Sequence, residues 1–174
     1  KLIQHPSLGE EIDSVWRAEP YRELDRSQDS DRYVETAEEG DYPVYGGKNI
    51  YQYSYDPTYI EDLSPPELWS VDEDVDPEKS AKNRIRGKNL RKLKRGVYDA
   101  FDGTGSQVSF VNELLEKHRG KPLSEEDVLL DSTGYRLVFR NITNSANERT
   151  MVLSVIPKGI VCHHAINTIR PYRI

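Results

Sequence analysis

The stretch that decides the fold is YRLVFRNITNSANERT, residues 135–150. Its first half alternates with the period of a β-strand: Leu137 and Phe139 point one way, and Arg136, Val138 and Arg140 the other. Its second half is amide, hydroxyl and guanidinium chemistry, with almost no apolar content before Met151. A strand that runs into such a segment presents hydrogen-bond donors to something outside itself.

Working outward, TMVLSVIPKGIV (150–161) is a second β-rich run, broken by Pro157 and Gly159. DYPVYGGKNIYQYSYDPTYI (41–60) reads as a hairpin or bent strand around Gly46 and Gly47. SPPELWSVDEDVDPEKS (64–80) reads as a Pro-rich, acidic connector. The clearest helix is SQVSFVNELLEKH (106–118), where Val108, Val111, Leu114 and Leu115 share a face and Gly120 stands just beyond the end. Ser124 is placed to cap a further short helix. Helices and strands in this order give an α+β expectation: one mixed domain with a twisted, mostly antiparallel sheet and a few helices.

Composition limits the function. The chain has 174 residues, 36% hydrophobic and 31% charged, with a mean hydropathy of -0.77. That is enough for one domain with a modest core. Eleven Tyr against three Phe suit exposed contact surfaces as well as cores. One cysteine, Cys162, excludes an internal disulfide, and no apolar run approaches the length of a membrane span. A reducing, cytoplasmic setting and no membrane partner are expected. The chain begins at Lys1 without a signal-like segment and is expected to be a piece of a longer protein.

The formal net charge is -6, which by itself argues against nucleic acid. The charge is unevenly placed, however. Acidic residues crowd 10–39 and 56–78, whereas KNRIRGKNLRKLKR (82–95) holds eight cations and no anion. At helical spacing Arg84, Lys88, Arg91 and Arg95 fall on one side, and Leu90, Leu93, Val97 and Phe101 on the other. This predicts a helix that packs by its apolar face and meets phosphates with its basic one. A solvated amphipathic helix is the plainer alternative, and Gly96 predicts a break.

Four blocks resemble, in order, segments of Eco57I-like type II restriction-modification enzymes. YRELDRSQDSDRYV (21–34) is similar to their Arg-Glu-x-Asp core. YPVYGGKNIYQYSYD (42–56) is similar to a segment in which Gly46 stands where the family has Glu. LWSV (68–71) resembles the aromatic-Trp-Val piece that follows, and YRLVFRNITNSANERTMVLSVIP (135–157) resembles a block ending in Ile/Leu-Pro. In that family the region looks like the TaqI-like target recognition domain behind an N6-adenine methyltransferase core. The resemblance implies duplex DNA and the methyltransferase core of the same chain as partners, a prokaryotic host, and S-adenosylmethionine as cofactor of the parent enzyme but none in this piece. Residues 76–132, with the basic helix, have no family counterpart and read as an insert.

Base reading needs forked groups on a stiff support, because Arg can bridge guanine O6 and N7 and Asn can bridge adenine N6 and N7. Arg140, Asn141, Asn144, Asn147 and Arg149 supply them, held outward from the strand. Lys48, beside two glycines, can approach a phosphate, with Tyr45 stacking or bonding nearby. Singly, each of these residues is also an ordinary turn or packing residue.

Other chemistries are weaker. DAFDGTG (99–105) fits the D-x-F-x-G-x-G bend by which methyltransferases hold S-adenosylmethionine, but too little chain follows it for a doubly wound sheet, and it reads as a turn that starts a helix. Cys162, His163 and His164 are ligand types without a second cluster, and read as a packed cysteine beside surface histidines. No acid, base or nucleophile constellation is present, so this piece is expected to be non-catalytic. A protein-interaction module using the Tyr-rich face is the main alternative.

Overall fold

The computed structural model describes residues 16–55, 65–141 and 151–173. The chain is α+β, and its described residues form two four-stranded sheets. The strands are β1 (Trp16–Tyr21), β2 (Tyr33–Val34), β3 (Gly40–Tyr45), β4 (Leu68–Val71), β5 (Arg136–Arg140), β6 (Leu153–Ile156), β7 (Val161–Cys162) and β8 (Ile166–Arg173). Between β4 and β5 come two helices, α1 (Ala81–Ala100) and α2 (Gln107–Arg119).

The first sheet has the order β1-β8-β5-β6 and is antiparallel throughout. The second has the order β2-β4-β3-β7, with β3 and β7 parallel and the rest antiparallel. One mostly antiparallel sheet was expected; there are two, because β3 does not fold back on the Tyr-rich segment but pairs with β4 and β7. The acidic connector likewise contributes a strand, since LWSV forms β4.

β7 joins the two parts of the core. Its adjacent residues face opposite ways, as strand geometry requires: Cys162 packs with Val138, Ile156 and Ile166 between the sheets, and Val161 packs with Leu24, Ala81 and Ile85 under α1.

In β5 the buried residues are Arg136 and Val138, while Leu137 is 37% exposed. An arginine can face the core here because it meets a carboxylate. Glu23, with no exposed surface, pairs with the Arg136 guanidinium and accepts the Cys162 N–H at 2.6 Å. The guanidinium also donates to the Ile160 carbonyl. Burial of Glu23 outweighs the nearby Arg136 and holds its carboxyl above the usual range.

The Ser80 hydroxyl caps α1 by accepting the Asn83 N–H at 3.4 Å. The helix runs through Gly96 to Ala100, past the expected break. It is also rotated from the expected orientation. Its buried residues are Ala81, Ile85 and Asn89, a stripe lying between the predicted basic and apolar faces. Leu93 and Phe101 are left 48% and 60% exposed, and they line, with Leu129, a cleft of about 540 Å³.

α2 ends as expected, at Gly120 in the left-handed conformation (φ 74°), whose N–H donates to the Glu116 carbonyl. Ser124 caps residues 125–127, its N–H and hydroxyl both donating to Asp127 at 3.0 Å. Among the described residues no helix is long and apolar enough to cross a membrane.

Candidate nucleic-acid interface

The charge that is separated along the sequence is largely recombined in space. Between Ala81 and Lys121 there are eleven cations and four carboxylates, whereas the whole chain has 24 against 30. The α1 cations use the excess acid of the body. Lys82 pairs with Asp41 and Glu73, and Arg86 pairs with Glu73 at 2.7 Å. Arg84 Nε meets Asp29 at 2.9 Å, and Lys92 meets Glu19. Lys88 Nζ donates to the Arg22 and Glu23 carbonyls at 3.1 and 2.7 Å. It also lies 5.6 Å from the centre of the Tyr21 ring. Arg95 is exposed and sits 3.7 Å from Asp99.

The proposed phosphate-facing row is therefore not a free row. Arg84 and Lys88 are structural because the buried stripe turns them toward the 22–29 segment, and Arg95 has a weak surface partner. Arg91 is exposed and, like Lys94, has no ionic or hydrogen-bond partner among the described residues.

A second group of sequence candidates does converge, at one end of the sheets. There the turn Gly47–Asn49 that follows β3, the residue Asn141 just after β5, and the segment 163–165 after β7 come together. The Asn141 N–H donates to the Ala165 carbonyl at 2.8 Å and the His163 N–H to the Tyr45 carbonyl at 3.0 Å. Asn141 is exposed, and its Oδ1 accepts from Asn167 at 3.0 Å. Lys48 is exposed on the turn. Because β5 and β6 pair in antiparallel register, Asn141 and Met151 are the two anchor points of segment 142–150. Asn144, Asn147 and Arg149 belong to that segment and lie outside the described residues.

Two candidates have other roles here. Tyr45 is 9% exposed and belongs to the core between the sheets, so it is no open stacking platform. Arg140 turns inward: its Nε and Nη2 both donate to the Ile50 carbonyl, the Nε at 3.1 Å. The strand's guanidiniums, Arg136 and Arg140, are thus bound internally, since each finds an acceptor on a neighbouring segment that the local sequence does not announce.

Gly46 also has a spatial explanation. A Cβ at this position would collide with the His163 imidazole, so neither Glu nor any other side chain fits without displacing that ring. His163 Nδ1 accepts the Ala165 N–H at 3.1 Å. Burial, followed by the positive surroundings of His164 and Arg26, pushes its pKa down to about 4.

The unfolded chain, with an ordinary imidazole near pKa ~6.5, binds a proton where the folded chain does not. The His163 contribution to stability is therefore lost as pH falls from about 6.5 to about 4. Chemical denaturation of wild type and His163→Gln across this window should show the wild type losing stability relative to the variant on acidification. A gap that does not change with pH would mean that His163 is not held neutral.

Sequence reasoning set His163 and His164 aside as surface residues and did not weigh Arg26 at all. Arg26 is exposed, and its backbone N–H donates to His164 Nδ1 at 3.2 Å. The partners are 138 residues apart, so no local signal could have joined them. Among the described residues no group of three or more His, Cys, Asp or Glu side chains is arranged to hold a metal ion. The 99–105 segment joins helix to helix, rather than following a strand as a cofactor loop would.

No protein-family model, curated protein or solved structure matches this chain. The four motif blocks are thus the whole of the family resemblance. In the first of them Glu23 and Asp29 are buried and hold the fold together.

Proposed function

We propose that the chain is the DNA-reading part of a larger, S-adenosylmethionine-dependent adenine-N6 DNA methyltransferase of a prokaryotic restriction-modification or phage-defence system. It grips duplex DNA and positions the target adenine, and the chemistry belongs to the methyltransferase core that also holds the cofactor. The motif order supports this reading. The observation that carries it is the convergence, at one end of the sheets, of the Lys48 turn with Asn141, which precedes the Asn- and Arg-rich 142–150 segment. In this reading Lys48 makes a phosphate contact that sets register, and the amide and guanidinium groups of Asn141, Asn144, Asn147 and Arg149 set sequence choice.

Duplex binding measured by fluorescence anisotropy at several salt concentrations tests the reading. Affinity should fall steeply with salt, because each neutralised phosphate releases condensed counterions. Lys48→Ala should reduce the slope of log K against log salt by about 1. Arg84→Ala should leave the slope unchanged, since that guanidinium is already held by Asp29. Binding to no duplex, or binding indifferent to salt, rejects the proposal.

A further inference from the structure

The exposed apolar residues in the second half of α1 belong to a trough rather than to a flat face. The cleft of about 540 Å³ that holds Leu93, Phe101 and Leu129 adjoins a second depression of about 440 Å³ between α1 and β1, lined by Ala18, Pro20 and Arg95. Glu19, Lys92 and Gly96 line both, so the two meet across the helix at Gly96.

The glycine at this saddle is the first clue to an occupant. Inside a helix glycine is less stable than alanine, and a Cβ at Gly96 would meet no atom within 4 Å. Nothing in the described part of the fold requires the bare position. A second backbone crossing the helix there does require it, because the missing side chain lets that backbone come close.

Asn89 supplies the second clue. It lines the larger cleft and is 6% exposed. Its Oδ1 accepts from Arg170 Nη2 at 3.1 Å, and since a guanidinium can only donate, this contact fixes which way the amide is turned. The Nδ2 group has no hydrogen-bond partner among the described residues, yet it is not sealed from solvent. A nearly buried donor left open in an apolar cleft is completed by an acceptor.

The charges say what kind of acceptor. Lys92 is paired with Glu19, and Arg170 Nε donates to Asp131 at 2.6 Å. With both pairs closed, a charged occupant would have to break one of them, whereas a neutral carbonyl leaves both intact. Carbonyls within a helix are already engaged by its own N–H groups, so a carbonyl that is free to meet Asn89 belongs to an extended chain.

We propose that this trough is a docking site for an extended, uncharged segment of a partner polypeptide. The segment crosses α1 at Gly96, seats one large apolar side chain against Leu93, Phe101 and Leu129, and gives a main-chain carbonyl to Asn89 Nδ2. The site is separate from the candidate DNA surface, since neither Lys48 nor Asn141 lines it, and it stands or falls independently of the DNA reading.

Random peptides displayed on phage, selected on the full chain and then synthesised with blocked ends, provide the test. The enriched sequences should share an uncharged stretch with one large apolar residue, and on titration the Asn89 side-chain amide signal should shift saturably in NMR spectra. Gly96→Leu fills the saddle and should weaken binding by about tenfold or more. Its thermal midpoint should stay level or rise, because leucine is the better helix former and meets no internal atom. Leu129→Ser, at a position 80% exposed, should weaken binding by about fivefold and leave the midpoint unchanged.

Failure to enrich any peptide overturns the site, and so do peptides that bind Gly96→Leu as tightly as wild type or leave the Asn89 signal in place. Peptides that depend on a charged residue reject the assigned chemistry. Self-association of the chain in sedimentation experiments, abolished by Gly96→Leu, would give the trough to a second copy and would equally overturn the proposal.

Discussion

Arg136→Ala is expected to lower the unfolding free energy by about 3–5 kcal/mol, a large share of what a domain of this size possesses. The substitution leaves the Glu23 carboxylate without its cation at a position with no exposed surface. It also removes the donor to the Ile160 carbonyl. An uncompensated buried charge is far more costly than a lost surface pair. Chemical denaturation would measure the loss, and its pH dependence identifies the cause. In the variant Glu23 can relieve the cost by taking up a proton, and because its carboxyl is held above the usual range even beside Arg136, the destabilisation should shrink as pH falls through the range above ordinary carboxylate values. A loss that is constant across that range would assign the effect to packing alone. Glu23→Gln combined with Arg136→Met should recover part of the stability, because both charges leave together.

Ile85→Ala is expected to cost about 2–5 kcal/mol, the usual price of a fully buried large-to-small change. Ile85 is 1% exposed and packs with Leu24, Ala81, Leu130 and Val161. With Ala81 it supplies the buried apolar anchor of α1, whose other buried residue is Asn89. The loss should therefore be local as well as global: amide hydrogen exchange in α1 should rise more than in β5 or β8. The control is Leu93→Ala, on the face that the sequence periodicity favoured. At 48% exposure it should cost well under 1 kcal/mol. Equal losses from the two substitutions would show that the helix is seated by the other face.

The contrast between those two residues shows how far the sequence could be read. Periodicity located α1 and α2, because the 3.6-residue repeat and the stop at Gly120 act within a turn or two of the chain. It did not identify which stripe of α1 is buried. Leu90, Leu93, Val97 and Phe101 form the more apolar face, yet Ile85 and Ala81 point at Leu24 and Val161. Burial goes to the residues that a distant surface can cover, and the basic side chains beside that stripe are accommodated because Asp29, Glu19 and main-chain carbonyls lie there to receive them.

The candidate interface divides in the same way. Lys48 and Asn141 could be picked from residue type and local setting, and the fold leaves both exposed. Tyr45 and Arg140 satisfied the same criteria and were drawn into the core or onto a carbonyl. His164 and Arg26 satisfied none of them until the chain brought them together.

By itself, the sequence determined the α+β class, the sites of α1 and α2 and of β3, β5, β6 and β7, the helix stop at Gly120 and the absence of an internal disulfide. Each of these follows from local periodicity, capping or composition. Only the tertiary structure decided that there are two sheets, that the basic helix is neutralised by the acidic body, and that Glu23 and Arg136, 113 positions apart, share one buried site. Coulombic and packing energies depend on distance in space, and local patterns carry no record of which remote segment will supply the opposite charge or the matching surface.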